Sequence, residues 1–253
     1  MNSLLTLGEV YQRKEDFDLA EKVYKRILEI HASFDKHYHE RALRSYQELG
    51  YLSLEMGLNE QAEEVFGEFV TISKAIFHDN EQRLAETLSE AGEVFSQLLK
   101  IEKARSVFTT ALALQIKLHG EDSIEVGDII HNLGVLLLAE QSFDEAKERL
   151  STAHAIRSKH FGHESRESAN SLYSLGTLAK LQGRLPDARD CFEKAFRIQC
   201  EILGVDSLES HATRSALESL ASEEKEAKQV KKEAKRSHPA YKRAKDRLKG
   251  VRT

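Results

Sequence analysis

Apolar residues return along this chain in steps of three, four and seven, the spacing that lays one face of an α-helix against a core. Leu4, Leu7, Gly8 and Tyr11 make such a stripe, Lys14-Glu15-Asp16 predicts a turn, and Ala20, Tyr24, Ile27 and Leu28 make a second stripe. The same two-helix pattern recurs every forty-two residues. It reads Tyr46, Leu49, Gly50 then Ala62, Phe66, Phe69, Val70; Leu88, Ala91, Gly92, Phe95 then Ala104, Phe108, Ala111, Leu112; Ile130, Leu133, Gly134, Leu137 then Ala146, Leu150, Ala153; and Leu172, Leu175, Gly176, Ala179 then Ala188, Phe192, Ala195, Phe196. Each unit carries a glycine, an alanine twelve residues later and a large apolar residue four after that. The pattern predicts five helical hairpins.

The recurring glycine needs a reason, because glycine inside a helix costs about 1 kcal/mol relative to alanine. Close approach of the paired helix supplies it, with the recurring alanine as the expected contact. The junctions repeat as well: Gly120-Glu121-Asp122-Ser123, Gly162-His163-Glu164-Ser165 and Gly204-Val205-Asp206-Ser207. Glycine ends one helix there, and an acidic residue or serine caps the next. Asp122 with Glu125 and Asp206 with Glu209 have the spacing of a capping box. The junctions at His31 to His39 and His78 to Glu81 lack the glycine, which predicts looser connections or longer helices.

The units therefore run at about 1–37, 38–79, 80–121, 122–163 and 164–205. A capping segment follows at 206–220, where Glu218 stands in the glycine register. Glycine, then Tyr or Phe three residues on, then Ala, Phe and Ala at these offsets resemble the tetratricopeptide repeat, a helix–turn–helix usually of 34 residues. The 42-residue version resembles the repeats of kinesin light chain. Ile130-His131-Asn132-Leu133-Gly134 followed by Phe143-Asp144-Glu145-Ala146, with the junction Leu203 to Ser207, carries that likeness, which extends over roughly residues 2 to 210. It implies an all-α fold: a right-handed α-solenoid of about five hairpins, a capping helix and a charged C-terminal helical extension.

The resemblance also implies a function. In this family the first helices line a concave groove, and positions −6, −3, −2, +1, +4 and +5 from the glycine face a ligand. Here those positions supply Arg44, Gln47, Glu48, Tyr51, Leu54 and Glu55; Glu86, Ser89, Glu90, Glu93, Ser96 and Gln97; Asp128, His131, Asn132, Val135 and Leu138; and Asn170, Tyr173, Ser174, Thr177 and Lys180. Asn132 matches the asparagine that family members use to hold a peptide backbone. The Lys and Asn set with which some members clamp an acidic C-terminus is missing. The expected peptide-binding residues are Tyr51, Glu86, Glu90, Glu93, His131, Asn132, Tyr173 and Lys180, and the expected partner is a neutral or basic protein segment.

Composition narrows the alternatives. The chain of 253 residues has 40% hydrophobic and 31% charged residues and only 2 prolines, which suits long amphipathic helices. No apolar run approaches 18 residues and no signal pattern opens the chain, so a cytoplasmic or nuclear protein without a membrane span is expected. Cys191 and Cys200 lie about 13 Å apart on one helix, too far for a disulfide. His37 with His39 and His160 with His163 do not converge with further ligands, so no metal or other cofactor is expected. No phosphate loop, nucleophile elbow or HExxH pattern occurs, which argues against an enzyme.

The charge is uneven. Residues 221–253 carry net +7 against −5 for the whole chain, leaving −12 on residues 1–220. Lys231-Lys232 and Lys242-Arg243 resemble a bipartite nuclear-import signal, and Glu224 with Lys228 has the orientation that supports a charged helix. The leading expectation is a non-enzymatic adaptor. The alternatives are a nucleic-acid-associated protein acting through the basic tail, or a regulatory repeat module of a larger protein, since the chain opens inside a repeat helix at Met1-Asn2-Ser3. The tail could also lie on the acidic units and compete with cargo, weakly and in a salt-dependent way.

Overall fold

A computed structural model describes residues 2–32 and 39–237. The first junction, with His37 and the side chains of His31 and His39, lies outside the described residues, as does the tail beyond Ser237. Among the described residues the chain is all-helical. It divides into two compact units, 1–140 and 141–253.

The first unit holds α1 (Asn2–Arg13), α2 (Phe17–Ala32), α3 (His39–Glu55), α4 (Asn59–Ile76), α5 (Glu81–Gln97), α6 (Ile101–His119) and α7 (Ile124–Ala139). α1/α2, α3/α4 and α5/α6 pair as hairpins, each hairpin packs on the next, and α7 lies against α6 and touches α5. The second unit holds α8 (Phe143–Phe161), α9 (Arg166–Leu181), α10 (Leu185–Leu203) and α11 (Leu208–Ser237). Here α9/α10 form the hairpin, with α8 on α9 and α11 on α10.

The turn inside each hairpin obeys the same period. Glu15, Gly57, Leu99, Gln141 and Gly183 stand forty-two residues apart, and all five have positive φ, between 57° and 72°. The turn closes by a bond from three residues past the helix end back to its last turn: Leu58 N–H to Ser53 O at 2.8 Å, Lys100 to Phe95 at 2.8 Å, and Arg184 to Ala179 at 2.9 Å. Three of these five left-handed positions are not glycine.

The helical glycines make room for a ring. A Cβ added to Gly8 would lie 2.6 Å from the Tyr24 ring, one on Gly92 2.6 Å from Phe108, and one on Gly176 2.7 Å from Phe192; Gly50 faces Phe66 in the same way. The contact expected from the alanine belongs to the aromatic residue four positions further on. The alanines Ala20, Ala62, Ala104 and Ala188 are fully buried, but the ring is the nearest neighbour of each glycine. In these four hairpins the buried aromatic residue is the largest single apolar contribution; the fourth hairpin of the series has the fully buried Leu150 in its place.

Between hairpins the connections are four residues long. Gly120, Gly162 and Gly204 end their helices at φ 83°, 89° and 87° with ψ near 160°, a region essentially restricted to glycine. The caps that follow are the serines. Ser123 accepts from Val126 N–H at 3.3 Å, Ser165 from Ser168 at 3.1 Å and Ser207 from Ser210 at 3.2 Å. The preceding Asp122 and Asp206 lie one residue too early. The junction between α4 and α5 is no looser: Phe77, 4% exposed, seals it, and Asn80 caps α5 by accepting from Arg83 N–H at 3.1 Å.

Candidate functional site

The first unit presents a row of polar side chains along α1, α3, α5 and α7 that link neighbouring first helices. Arg44 donates to Glu9 at 2.6 Å, and Gln12 to Glu55 at 3.0 Å. Tyr51 Oη donates to Glu90 at 2.9 Å, Gln47 donates to the same carboxylate, and Asn132 donates to Glu93 at 3.3 Å. The Tyr51 ring stands edge-on to Phe66, centroids 5.4 Å apart. The recurring glycine thus seats a ring, and the ring in turn backs a tyrosine on the functional face.

Carboxylates outnumber cations on this face. Burial pushes the Glu48 carboxyl above its ordinary value; Arg44 opposes the shift, while Glu9, Glu90 and Glu55 add to it. Glu93 is raised first by loss of hydration and then by Glu90 and Asp128, against the Asn132 hydrogen bond. Tyr51 is raised by burial and then by Glu90. The contrast within the unit is Glu63 on α4, which Lys100 and Lys103 hold below the ordinary value at 2.5 and 2.7 Å.

The eight expected binding residues fall into three groups. Tyr51, Glu90, Glu93 and Asn132 converge in the first unit as described. Glu86 is exposed on α5 and accepts from Gln82 at 2.6 Å, apart from that cluster, and His131 is buried, 9% exposed. Tyr173 and Lys180 belong to the second unit. The Tyr173 ring packs on Phe192 at 5.5 Å, and Lys180 reaches Ser219 at 2.9 Å and Glu223 at 3.0 Å, both on α11.

One part of the face was not anticipated. Glu9, Gln12, Arg13, Arg44, Glu48 and Glu55 border an open cleft of about 630 Å³. Glu9, Gln12 and Arg13 stand at +1, +4 and +5 from Gly8, so the offsets already applied to the later glycines point to them.

Among the described residues no group of three or more His, Cys, Asp or Glu side chains could hold a metal ion. Both cysteines are free thiols, and burial pushes that of Cys191 up, away from the reactive thiolate. No described helix is long and apolar enough to cross a membrane.

The tetratricopeptide-repeat family profile matches residues 1–75 and 125–201, more than half of the chain. The chain belongs to the tetratricopeptide-repeat family. Solved structures agree. BtubC (BKLC) from P. vanneervenii is 26% identical over 80% of this chain and 81% of its own, with a TM-score of 0.65. A putative kinesin light chain of Podosopora anserina with nearly identical TPR-like repeats is 20% identical over 79% of this chain and 95% of its own, TM-score 0.65. YrrB, described as a TPR protein with an unusual peptide-binding site, is 16% identical over 83% and 90%, TM-score 0.50. No curated protein matches the sequence. Membership sets the broad role: the tetratricopeptide fold is a scaffold for protein–protein interaction, and its family is generally non-enzymatic.

Proposed function

We propose that the chain is a non-enzymatic adaptor that holds a neutral or basic segment of a protein partner on its first-helix face, in the cytoplasm or nucleus. The observation that carries this reading is the pair Glu48 and Glu93, carboxyls raised by burial and by each other's acidic neighbours on one face. A lysine or arginine brought to that face relieves the repulsion and lowers both carboxyls, which is binding free energy by linkage. Tyr51, held on Phe66 and bonded to Glu90, supplies rigid contact area at low entropic cost. The Asn132 amide turns from Glu93 to the backbone of the bound segment, leaving Glu93, with Glu86 and Glu90, to meet its cations. YrrB, a TPR protein with an unusual peptide-binding site, is a precedent for a peptide on this fold.

The test is selection of displayed random peptides on the full chain. The reading predicts sequences with net charge zero or positive, which lose affinity when Glu90→Gln and Glu93→Gln are combined. Selection of acidic peptides, or of peptides indifferent to that double change, would refute it.

A further inference from the structure

The last helix outruns its partner. α11 has 30 residues and α10 has 19, or about 45 Å against about 28 Å at 1.5 Å per residue. Pairings mark how the two lie together. Thr213 donates to Gln199 at 2.7 Å near the start of α11, and Arg189 holds Glu224 by two bonds of 2.9 and 3.1 Å further on. Ala227, Lys228 and Lys231 then border a cleft of about 340 Å³ with Leu185 and Pro186, the first residues of α10. Past Lys231, α10 has no residue left to pair with.

At that point the stripe of α11 that faced the hairpin changes character. In steps of three and four it reads Thr213, Leu217, Leu220 and Glu224, with Leu220 fully buried. The same steps continue as Lys228, Lys231 and Lys235. Lys225, Lys228 and Lys231 are exposed. Glu218 occupies the glycine register, where each earlier hairpin but the fourth seats a ring from its second helix.

We propose that this overhang is a docking surface for the phosphate backbone of a nucleic acid. It does not depend on the adaptor reading. Lysines one helical turn apart place cations about 5 Å from each other along a straight rod, close to the spacing of phosphates on a strand. Over residues 225–236 six lysines and arginines stand against two acidic residues, Glu226 and Glu233, both exposed. The apolar residues there are Ala227, Val230 and Ala234, too few for a helix that buries a face in lipid or for the apolar centre of a stable protein interface. A surface of cations without apolar anchors binds through counterion release, which is independent of sequence and strongly dependent on salt. The sequence stays basic beyond the described residues, at Lys242, Arg243, Lys245 and Arg247.

The experiment compares the full chain with the full-length triple variant Lys225→Gln, Lys228→Gln, Lys231→Gln. Affinity for a labelled mixed-sequence DNA duplex of 30 base pairs is followed from 50 to 200 mM salt, with helicity checked by circular dichroism. The expected result is at least a tenfold loss of affinity at 50 mM and a salt slope lower by about 3, near one per lysine. Glu93→Gln should leave duplex binding unchanged. No binding by the unaltered chain at 50 mM salt would overturn the proposal, as would a triple variant with unchanged affinity and slope. Tighter binding to phosphatidylserine vesicles than to the duplex, with the same lysine dependence, would assign the surface to membranes instead. Tighter binding to polyglutamate would assign it to acidic protein.

Discussion

The two units solve the same packing problem and diverge on what they show to solvent. In the first, Tyr51 stands on Phe66 at 5.4 Å; in the second, Tyr173 stands on Phe192 at 5.5 Å. The glycines beneath those rings, Gly50 and Gly176, are equally intolerant of a Cβ. Yet the face around Tyr51 carries carboxylates that repel one another, while the lysine near Tyr173 is matched by Glu223. The core fixes the repeat and leaves the functional face free to change its charge. A second difference lies between hairpins. Gln115, Arg157 and Gln199 share one register and are all buried. In the second unit that position is bonded to the next first helix, Arg157 to Ser171 at 3.1 Å and Gln199 from Thr213 at 2.7 Å. In the first unit the carbonyl oxygen of Gln115 has no hydrogen-bond partner.

If the core is equivalent in both units, Gly92→Leu and Gly176→Leu should each cost about 3 kcal/mol by overpacking. Thermal melts should fall by about 6–10 °C, and a variant that melts like the parent would remove the close-packing argument for its unit. The buried polar position should respond oppositely in the two units. Gln199→Leu should destabilise by about 2 kcal/mol, since it strands the Thr213 hydroxyl, whereas Gln115→Leu removes an unsatisfied oxygen and should be neutral or stabilising by about 1 kcal/mol. Equal penalties in urea titrations would mean that the two interfaces do not differ. At the turns, Leu99 is 74% exposed with φ 57° where the second and fifth hairpins use Gly57 and Gly183. Leu99→Gly should therefore gain about 1 kcal/mol by releasing left-handed strain, and a loss would show that the turn tolerates a side chain freely.

The smallest effect concerns charge. A carboxyl raised in the folded state binds more protons there than in the unfolded chain. Its contribution to stability is complete below the ordinary value of 4.5 and is lost as pH rises through the raised value. Glu48→Gln and Glu93→Gln should accordingly raise the melting temperature at pH 7 by about 2 °C and leave it unchanged at pH 4. Lys180→Gln in the second unit, which breaks an exposed pair, should change it by less than about 1 °C. A rise at pH 4 as large as that at pH 7 would detach the effect from ionisation.

Periodicity carried the hairpins because a helix that packs on both neighbours must repeat its apolar face, and the glycines stand out against a cost that only crowding justifies. What crowds them was not legible, because alanine and ring both lie on the inner stripe and only the rotamer decides which reaches the glycine. Serine rather than aspartate caps α7 and α11 because three residues, not two, separate Gly120 from Ile124 and Gly204 from Leu208. His131 counts as a groove residue by offset, but α7 is apolar almost throughout and buries it. The polar register of Gln115, Arg157 and Gln199 was hidden because polar residues inside an amphipathic helix read as surface.

The first-helix face of the first unit is the proposed site of capture, and Asn132 and Tyr51 test it. The measurement is the affinity of the full chain, and of Asn132→Ala and Tyr51→Ala, for a peptide selected on the unaltered chain. Folding of each variant is confirmed by its melt. The account predicts that each change weakens binding more than tenfold, about 1.4 kcal/mol. Affinity that survives both changes would place the partner elsewhere on the molecule and contradict it.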